Sequence, residues 1–278
     1  MAVQLREEQS ELYLTLMKRC LTNYIYGEAE YKPIIKPRGG VSSWIVHFFR
    51  NLGIGIVCFK PFDEQLRIDG RDWPPPPFAH SMIGLKRLDN IQFCIEDILS
   101  KDIPGDLIEA GVWRGGAIIF MRAVLKVYGV KDRIVWGADS FQGLPKPDVK
   151  KNPHDKGWNF YRIEELSVSL DVVKRNFVRY DLLDDQVAFL SGWFSQTLPT
   201  APLGRLALIR LDADMYGSTM DALTHLYPKL SNGGYVIIDD YGAVKACRLA
   251  VDDFRKNNDI KDDIISIDGF GVYWKRTR

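Results

Sequence analysis

Four aspartates of this sequence follow two short apolar runs, and together they have the chemistry to bind a divalent cation. Asp212 and Asp214 come directly after the run LIRL, while Asp239 and Asp240 come directly after the run YVII. If the runs are strands, alternation places Asp212 and Asp214 on one side, where their like charges repel each other. A divalent cation removes that repulsion. Carboxylate oxygens without nearby His or Cys favour Mg²⁺ over structural zinc.

Helix capping is the alternative role for two of these aspartates. An aspartate side chain at an N-cap accepts a hydrogen bond from a free amide of the first helical turn. Asp214 precedes the helical pattern Ser218–Leu230, and Asp240 precedes the helical pattern Ala243–Asn257. One side chain can also serve as both cap and ligand, so both interpretations stay open at the level of sequence.

A glycine-rich turn after an earlier apolar run predicts a site for a small-molecule ligand. Its sequence, EAGVWRGG, begins at Glu109 and resembles the E-x-G-x-x-x-G signature of S-adenosylmethionine enzymes. In that signature the glycines, here Gly111 and Gly115, let the backbone approach the ligand, and the acid meets its charged amino-acid portion. A nicotinamide cofactor is the alternative, but its G-x-G-x-x-G motif requires glycine where Trp113 stands. A structural turn without any ligand is the other alternative.

Two further runs end in residues suited to a nucleoside. Asp139 and Ser140 follow the run IVWGA, about 28 residues after the glycine turn, near the offset of a ribose-binding acid. Helix capping is again the alternative for the aspartate. Trp193 and Phe194 follow the run VAFL and either form an adenine pocket or close the core.

Each of these residues stands where a predicted strand ends. The predicted strands are Asp106–Ala110, Ile134–Ala138, Val187–Leu190, Ala207–Leu211 and Tyr235–Ile238. The helical patterns between and after them are Gly116–Tyr128, Ser167–Arg179, Ser218–Leu230 and Ala243–Asn257. This alternation predicts a parallel sheet covered on both faces, with ligands at the carboxyl ends of its strands. The runs Ile264–Ile267 and Val272–Lys275, joined by DGFG, predict a final hairpin. A doubly wound α/β sheet ending in an antiparallel hairpin is the layout of class I methyltransferases.

Residues 1–104 are predicted to form an N-terminal helical arm and cap, and residues 105–278 the catalytic domain. Apolar stripes at helical spacing predict one helix over Glu7–Tyr26 and another beginning at His80. Between them, Tyr31–Gly40 has the composition of a linker, and Arg71–Pro77 predicts a stiff extended segment.

The apolar segment Val41–Phe59 has no assigned role in this layout. It is shorter than a membrane span and is interrupted by Gly53 and Gly55. We expect it to bury its apolar face against a second copy of the chain, which predicts a homo-oligomer. Peripheral contact with a membrane surface or a greasy acceptor is the alternative.

Composition excludes several classes of protein. With 37 Lys and Arg against 36 Asp and Glu in 278 residues, the chain carries no basic stripe for nucleic acid. No apolar run reaches the roughly 18 residues of a membrane span. Four dispersed cysteines, without a CxxC pair, give no zinc pattern. The charged and polar start differs from a signal peptide, so a cytoplasmic location is expected.

Several long motifs, in this order, are similar to those of the macrocin O-methyltransferase (TylF-type) family, Mg²⁺-dependent enzymes that methylate sugar hydroxyls on antibiotics. The motifs are LTLMKRCLTNYIY, GRDWP with AHSM, EAGVWRGG, DSFQGLP, GWFSQTLP, LDADMYGST and GGYVIIDDY. The resemblance covers most of the chain. Val41–Phe59 departs from it, which leaves the acceptor open.

The resemblance implies a role for each candidate residue. Asp212, Asp239 and Asp240 are expected to bind Mg²⁺, and Asp214 to act as general base. The residues expected to contact S-adenosylmethionine are Glu109, Gly111, Trp113, Gly115, Asp139, Ser140 and Trp193, with Ser81 and Met82 from the arm. His154 lies in the loop Asp139–Tyr161, a predicted lid, and is either a second base or a solvated histidine.

The expected acceptor is a glycosylated small molecule, a natural product or a glycolipid. A catechol or other phenol is the alternative within the same chemistry, because two adjacent oxygens also chelate a metal. A nicotinamide-dependent oxidoreductase and a non-catalytic binding module are the alternatives from other classes.

Overall fold

The computed structural model describes residues 2–26, 30–33, 41–70 and 78–278. Most of the predicted linker Tyr31–Gly40, from residue 34 onward, and the whole predicted extended segment Arg71–Pro77 lie outside the described residues. The helices are α1 (Ala2–Leu21), α2 (Val41–Asn51), α3 (Glu64–Asp69), α4 (Leu85–Ser100), α5 (Gly116–Val127), α6 (Leu170–Arg179), α7 (Phe194–Thr197), α8 (Tyr216–Leu226) and α9 (Lys245–Asn257). The strands are β1 (Glu30–Pro33), β2 (Val57–Lys60), β3 (Asp106–Ala110), β4 (Val135–Asp139), β5 (Val187–Ser191), β6 (Leu206–Leu211), β7 (Leu230–Ile238), β8 (Ile265–Ser266) and β9 (Val272–Lys275).

Seven strands form the central sheet, in the order β5-β4-β3-β6-β7-β9-β8. Strands β3 to β7 are parallel to their neighbours, whereas β9 is antiparallel to both β7 and β8. The predicted doubly wound sheet and its final antiparallel hairpin are therefore confirmed. Strand β6 is buried along its whole length, as expected for a parallel strand covered on both faces.

The chain reverses its direction across the sheet between β3 and β6. Strand β3 has β4 on one side and β6 on the other, so this pair is the topological switch point. Ala110 is the register partner of both Ala138 and Leu211, and Leu211 is the partner of Ile238. The residues that follow these four positions consequently lie together at one edge of the sheet.

Helices cover the two faces of the sheet with separate hydrophobic cores. Buried side chains of α1, α4, α5 and α6 pack on one face, with Leu107 of β3 among them. Side chains of α8 and α9 pack on the other face around the fully buried Trp274 of β9. Helices α1 and α4 of the predicted N-terminal arm thus share a core with the sheet, and burial of apolar surface holds them there.

The apolar segment Val41–Phe59 forms helix α2 and most of strand β2, which pairs antiparallel with β1. The chain leaves α2 through Gly53, at φ +74°, a left-handed conformation that glycine adopts readily. Among residues 44–51, Val46 is the one buried side chain. Trp44 and Phe48 are 68% and 48% exposed, and their rings stack at 5.5 Å between centroids.

Several element boundaries differ from those the sequence predicts. The helix expected from His80 begins at Leu85, because the amides of His80 and Ser81 both bond to the carbonyl of Leu21. The pattern Ser218–Leu230 is α-helical to Leu226 and continues as a 3-10 turn over Tyr227–Lys229, and Leu230 begins strand β7. Helix α3 has no counterpart in the sequence interpretation. Within the described residues, none of the helices combines the length and apolar character needed to span a membrane.

Candidate active site

A cavity of about 310 Å³ opens at the carboxyl ends of the central strands, beside the switch point. The predicted residues that line it are Met82, Gly111, Trp113, Asp139, Ser140, Trp193, Asp212 and Asp214. Sequence reasoning missed Leu144, Pro145 and Leu166 from the loop after β4, and Ser195, Ser218 and Asp221 from α7 and α8. Nothing in the types of these residues indicates a ligand site in the sequence. They reach the cavity only because the loop after β4 and the helices α7 and α8 pack around it. The predicted site residues that do not line it are Glu109, Gly115, Ser81, Asp239 and Asp240.

The glycine turn brings the backbone of β3 against the backbone that follows β6. Gly111 has φ +94°, and a Cβ atom at this position would lie 1.8 Å from the carbonyl oxygen of Asp212. Only glycine avoids both the strained conformation and the collision. Gly115 has φ +90° and directly precedes α5, where an added Cβ would lie 2.9 Å from a Val173 methyl group. Both glycines thus make room for neighbouring protein atoms, and of the two only Gly111 lines the cavity.

Asp139 fixes this turn relative to β4. Its Oδ2 accepts a hydrogen bond from the amide of Val112 at 2.7 Å, and its Oδ1 accepts one from the amide of Phe141 at 2.7 Å. Burial raises the pKa of Asp139, and these amide bonds oppose that effect. The amide of Trp113 and the hydroxyl of Ser140 also donate to this carboxylate. Asp139 therefore holds the glycine turn and the turn after β4 together.

Trp113 attaches the predicted lid to the glycine turn. Its indole Nε1 donates to the carbonyl oxygen of Glu165 at 2.9 Å, next to the cavity-lining Leu166. The Arg114 guanidinium lies 4.3 Å from the Trp113 ring centroid. Trp113 thus lines the cavity and also bonds to the loop after β4 at Glu165, beyond the end of the predicted lid at Tyr161.

Glu109 lies behind the cavity and pairs with an arginine. It is the register partner of Arg210 on β6, and the two buried side chains form an ion pair. Burial raises the pKa of Glu109 to about 8, and its Oε2 has no hydrogen-bond partner among the described residues. The structure thus places Glu109 among buried charges rather than at the cavity wall, where the sequence resemblance expected it to meet the cofactor.

Three of the four predicted aspartates converge. Asp212, Asp214 and Asp240 each offer a carboxylate oxygen, and these oxygens lie within 4.8 Å of one another. Burial and the neighbouring carboxylates raise the pKa of Asp212 to about 6 and that of Asp214 to about 8. Burial likewise raises the pKa of Asp240 well above its ordinary value. A divalent cation relieves this repulsion, so the donor set fits a hard metal ion.

Asp239 has different partners from the other three. One of its oxygens pairs with Arg210 and the other with Arg87, and all three side chains are buried. The structure therefore does not bring Asp239 into the group of three. The sequence had no signal for this pairing, because Arg87 lies more than 150 residues earlier in the chain.

The capping alternative for Asp214 and Asp240 is wrong. Helix α8 begins after Met215 and α9 begins after Val244, and neither helix has a side-chain cap from those N-cap positions. Asp214 has φ +54° and lies in the sharp turn between β6 and α8. The backbone amide of Asp214 donates a hydrogen bond to Oδ2 of Asp240, at 3.3 Å. Neither carboxylate therefore caps its predicted helix, and Asp214 lines the cavity.

His154 lies outside the cavity. Its ring is exposed and packs against the ring of Tyr216, with 4.9 Å between centroids. Trp193, by contrast, lines the cavity together with Phe194, as an adenine pocket requires.

The sheet order and the cavity at the switch point are those of a class I methyltransferase. The family model for macrocin-O-methyltransferase (TylF) matches residues 10–276. The chain belongs to the macrocin O-methyltransferase (TylF) family, which confirms the predicted family and O-methyltransferase activity, with S-adenosylmethionine as methyl donor. This assignment replaces the nicotinamide-dependent oxidoreductase and the non-catalytic binding module.

Similar proteins cover nearly the whole chain. The mycinamicin III 3''-O-methyltransferase of Micromonospora griseorubida is 48% identical over 96% of this chain and 97% of its own length. The 8-demethyl-8-(2,3-dimethoxy-alpha-L-rhamnosyl)-tetracenomycin-C 4'-O-methyltransferase of Streptomyces olivaceus is 49% identical over 98% of this chain and 95% of its own length. The solved structure of the O-methyltransferase NovP has a TM-score of 0.83 at 47% identity, covering 97% of this chain and 100% of NovP.

Proposed function

We propose that this enzyme transfers a methyl group from S-adenosylmethionine to a hydroxyl of a sugar carried by a small molecule, with Mg²⁺ bound at the strand ends. The convergence of Asp212, Asp214 and Asp240 beside the cavity carries this proposal. Asp212 and Asp240 are the proposed metal ligands on this geometry. Asp239 stays a third predicted ligand, because the two arginine pairs leave part of its acceptor capacity unused.

The proposed mechanism assigns one task to each part of the site. When bound, S-adenosylmethionine supplies an electrophilic methyl group, and a divalent cation lowers the pKa of a hydroxyl that it contacts. Asp214 removes the proton from the acceptor hydroxyl. Asp139 and the backbone at Gly111 hold the donor, so positioning supplies much of the acceleration. The loop attached through Trp113 excludes water from the cavity.

The relatives support a sugar as acceptor. Their names specify methylation at a 3'' position and at the 4' position of a rhamnosyl-bearing compound, at 48% and 49% identity to this chain. A natural-product glycoside is therefore the proposed acceptor class. A catechol is the competing acceptor, since two adjacent oxygens suit the same metal site.

Incubation with S-adenosylmethionine and Mg²⁺ tests the acceptor class. Mycinamicin III, 4-nitrophenyl α-L-rhamnopyranoside and catechol serve as probes, and tandem mass spectrometry locates the added methyl group. We expect methylation on a sugar ring of a glycoside and none on catechol. Methylated catechol with unchanged glycosides contradicts the proposal.

We also propose that the enzyme is a cytoplasmic homo-oligomer. The exposed aromatic residues of α2, with Trp44 and Phe48 stacked on each other, support assembly through this helix. Peripheral membrane contact through residues 41–59 is the alternative. The division into an arm of residues 1–104 and a catalytic domain of residues 105–278 stays part of the proposal.

A further inference from the structure

A chain of buried ion pairs extends from the proposed metal site to the C-terminal hairpin. Arg210 contacts Asp212 at 3.2 Å and also pairs with Asp239. Asp239 pairs in turn with Arg87, and the Nε of Arg87 donates to Oδ2 of Asp268 at 2.7 Å. Each of the two arginines therefore bridges carboxylates, and both arginine side chains are at least 93% buried.

Arg87 is the member of this chain of ion pairs that lies on a helix outside the central sheet. It belongs to the first turn of α4, whereas Asp268 belongs to the turn between β8 and β9. The Oδ1 atom of Asp268 accepts hydrogen bonds from the amides of Phe270 and Gly271, at 3.0 and 2.9 Å. The hairpin turn thus fixes the Asp268 carboxylate, which fixes Arg87, which reaches Asp239.

We propose that Arg87 is a positioning residue for the metal site: it holds Asp239, Asp239 orients Arg210, and Arg210 orients the proposed ligand Asp212. This inference rests on the metal site of the proposed function. Groups outside the ligand set orient metal ligands, and their loss typically costs ten- to hundredfold in metal affinity. The planar guanidinium suits this role, since its Nη1 serves Asp239 while its Nε serves Asp268.

Binding of Mn²⁺ alone, followed by electron paramagnetic resonance, tests the inference without relying on turnover. We expect Arg87→Gln to raise the Kd for Mn²⁺ at least about tenfold, while calorimetry shows less than about a twofold change in affinity for S-adenosylmethionine. Arg87→Lys is expected to restore only part of the affinity, because one ammonium group cannot reproduce the fork that serves both carboxylates.

Asp268→Asn removes the ion pair between Arg87 and Asp268 with a smaller change to the protein. The Asn Oδ1 atom still accepts from the two turn amides, whereas its Nδ2 atom no longer pairs with Arg87. We expect a severalfold rise in the Kd for Mn²⁺. This variant decides the question if Arg87→Gln does not fold.

Arg122→Gln is the matched control. Arg122 is equally buried and holds Asp184 with two bonds, of 2.9 and 2.6 Å, but Asp184 precedes β5 at the amino-end edge of the sheet. Its loss should lower the melting temperature and leave the Kd for Mn²⁺ unchanged. Wild-type affinity in both Arg87→Gln and Asp268→Asn, or equal weakening in Arg122→Gln, overturns the positioning role. Wild-type protein that binds no Mn²⁺ contradicts the proposed metal site itself.

Discussion

The Asp155 carboxylate accepts a hydrogen bond from the backbone amide of Tyr216, with 2.6 Å between Oδ1 and N. Its Oδ2 atom accepts a second one from the amide of Gly217 at 3.0 Å. These amides begin helix α8, directly after the turn that carries Asp214. Buried Asp155 therefore provides the cap that α8 lacks locally, and it attaches the loop over the cavity to the helix beside the proposed base.

Asp155→Ala should lower the free energy of unfolding by about 1 kcal/mol, because the first turn of α8 loses its cap. It should also lower kcat/KM for the acceptor, since the loop loses its attachment. Chemical denaturation and steady-state kinetics check both. Asp148→Ala is the control, because Asp148 bonds to two amides of an exposed turn in the same loop. Equal effects of the two substitutions would contradict this interpretation.

Asp214→Asn should lower kcat by at least about a hundredfold, the lower end of what a general base contributes. The amide keeps the shape of the side chain but cannot take the acceptor proton. Affinity for S-adenosylmethionine, measured by calorimetry, should stay near that of the wild type. His154→Gln is the control and should leave kcat unchanged, because His154 lies outside the cavity. A large loss of kcat in His154→Gln, together with unchanged kcat in Asp214→Asn, would show that His154 is the general base.

Stability in the presence of chelator should fall as pH rises from about 4 to about 8. Burial and the neighbouring carboxylates raise the pKa of Asp214 to about 8, so the folded state binds more protons than the unfolded state in this interval. Burial raises the pKa of Glu109 in the same direction. Thermal unfolding at pH 6 and pH 8 measures the fall, which should be smaller in Asp214→Asn. Added Mg²⁺ should stabilise the protein more at pH 8. Identical pH dependence in the variant would contradict the assignment to Asp214.

Replacing both Trp44 and Phe48 with serine should reduce the size of the assembly in light scattering, because the exposed face of α2 is the proposed interface. Val178→Ser is the control, since Val178 is 62% exposed on a different helix. If the double variant keeps its assembly but no longer floats with liposomes, the membrane alternative is correct. If the double variant keeps both its assembly size and its flotation with liposomes, α2 is neither an oligomer interface nor a membrane contact.

Sequence alone was sufficient for the central sheet. The predicted strand Asp106–Ala110 has the same bounds in the structure, and its one fully buried charge, Glu109, is paired with Arg210. For Val41–Phe59 the sequence was less decisive, because Trp44 and Phe48 fall on one helical face while Gly53 and Gly55 weaken a helix there. The structure forms helix α2 over Val41–Asn51 and leaves those aromatic residues exposed. Apolar periodicity indicates that a face will be covered, and it does not identify what covers it.

The sequence predicted which residues line the cavity where their position at a strand end decides it. It predicted less well the residues whose placement depends on buried ion pairs. Asp139, Asp212 and Asp214 line the cavity because each follows a strand of the sheet. Glu109 and Asp239 also occupy strand ends, yet their side chains pair with arginines. Partner choice among buried charges depends on contacts distant in sequence, and Arg87 of α4 is one of them.

Dependence of methyl transfer on Mg²⁺ tests the central claim, that strand-end carboxylates hold a divalent cation needed for the reaction. The measurement is the rate of methylation of the glycoside probe at fixed S-adenosylmethionine, first with excess EDTA and then across a Mg²⁺ titration. The wild type should be inactive in EDTA and recover fully with Mg²⁺. Asp212→Asn and Asp240→Asn should require at least about tenfold more Mg²⁺, because loss of even a group outside the ligand set costs about that much affinity. Full turnover by the wild type in excess EDTA would contradict the claim.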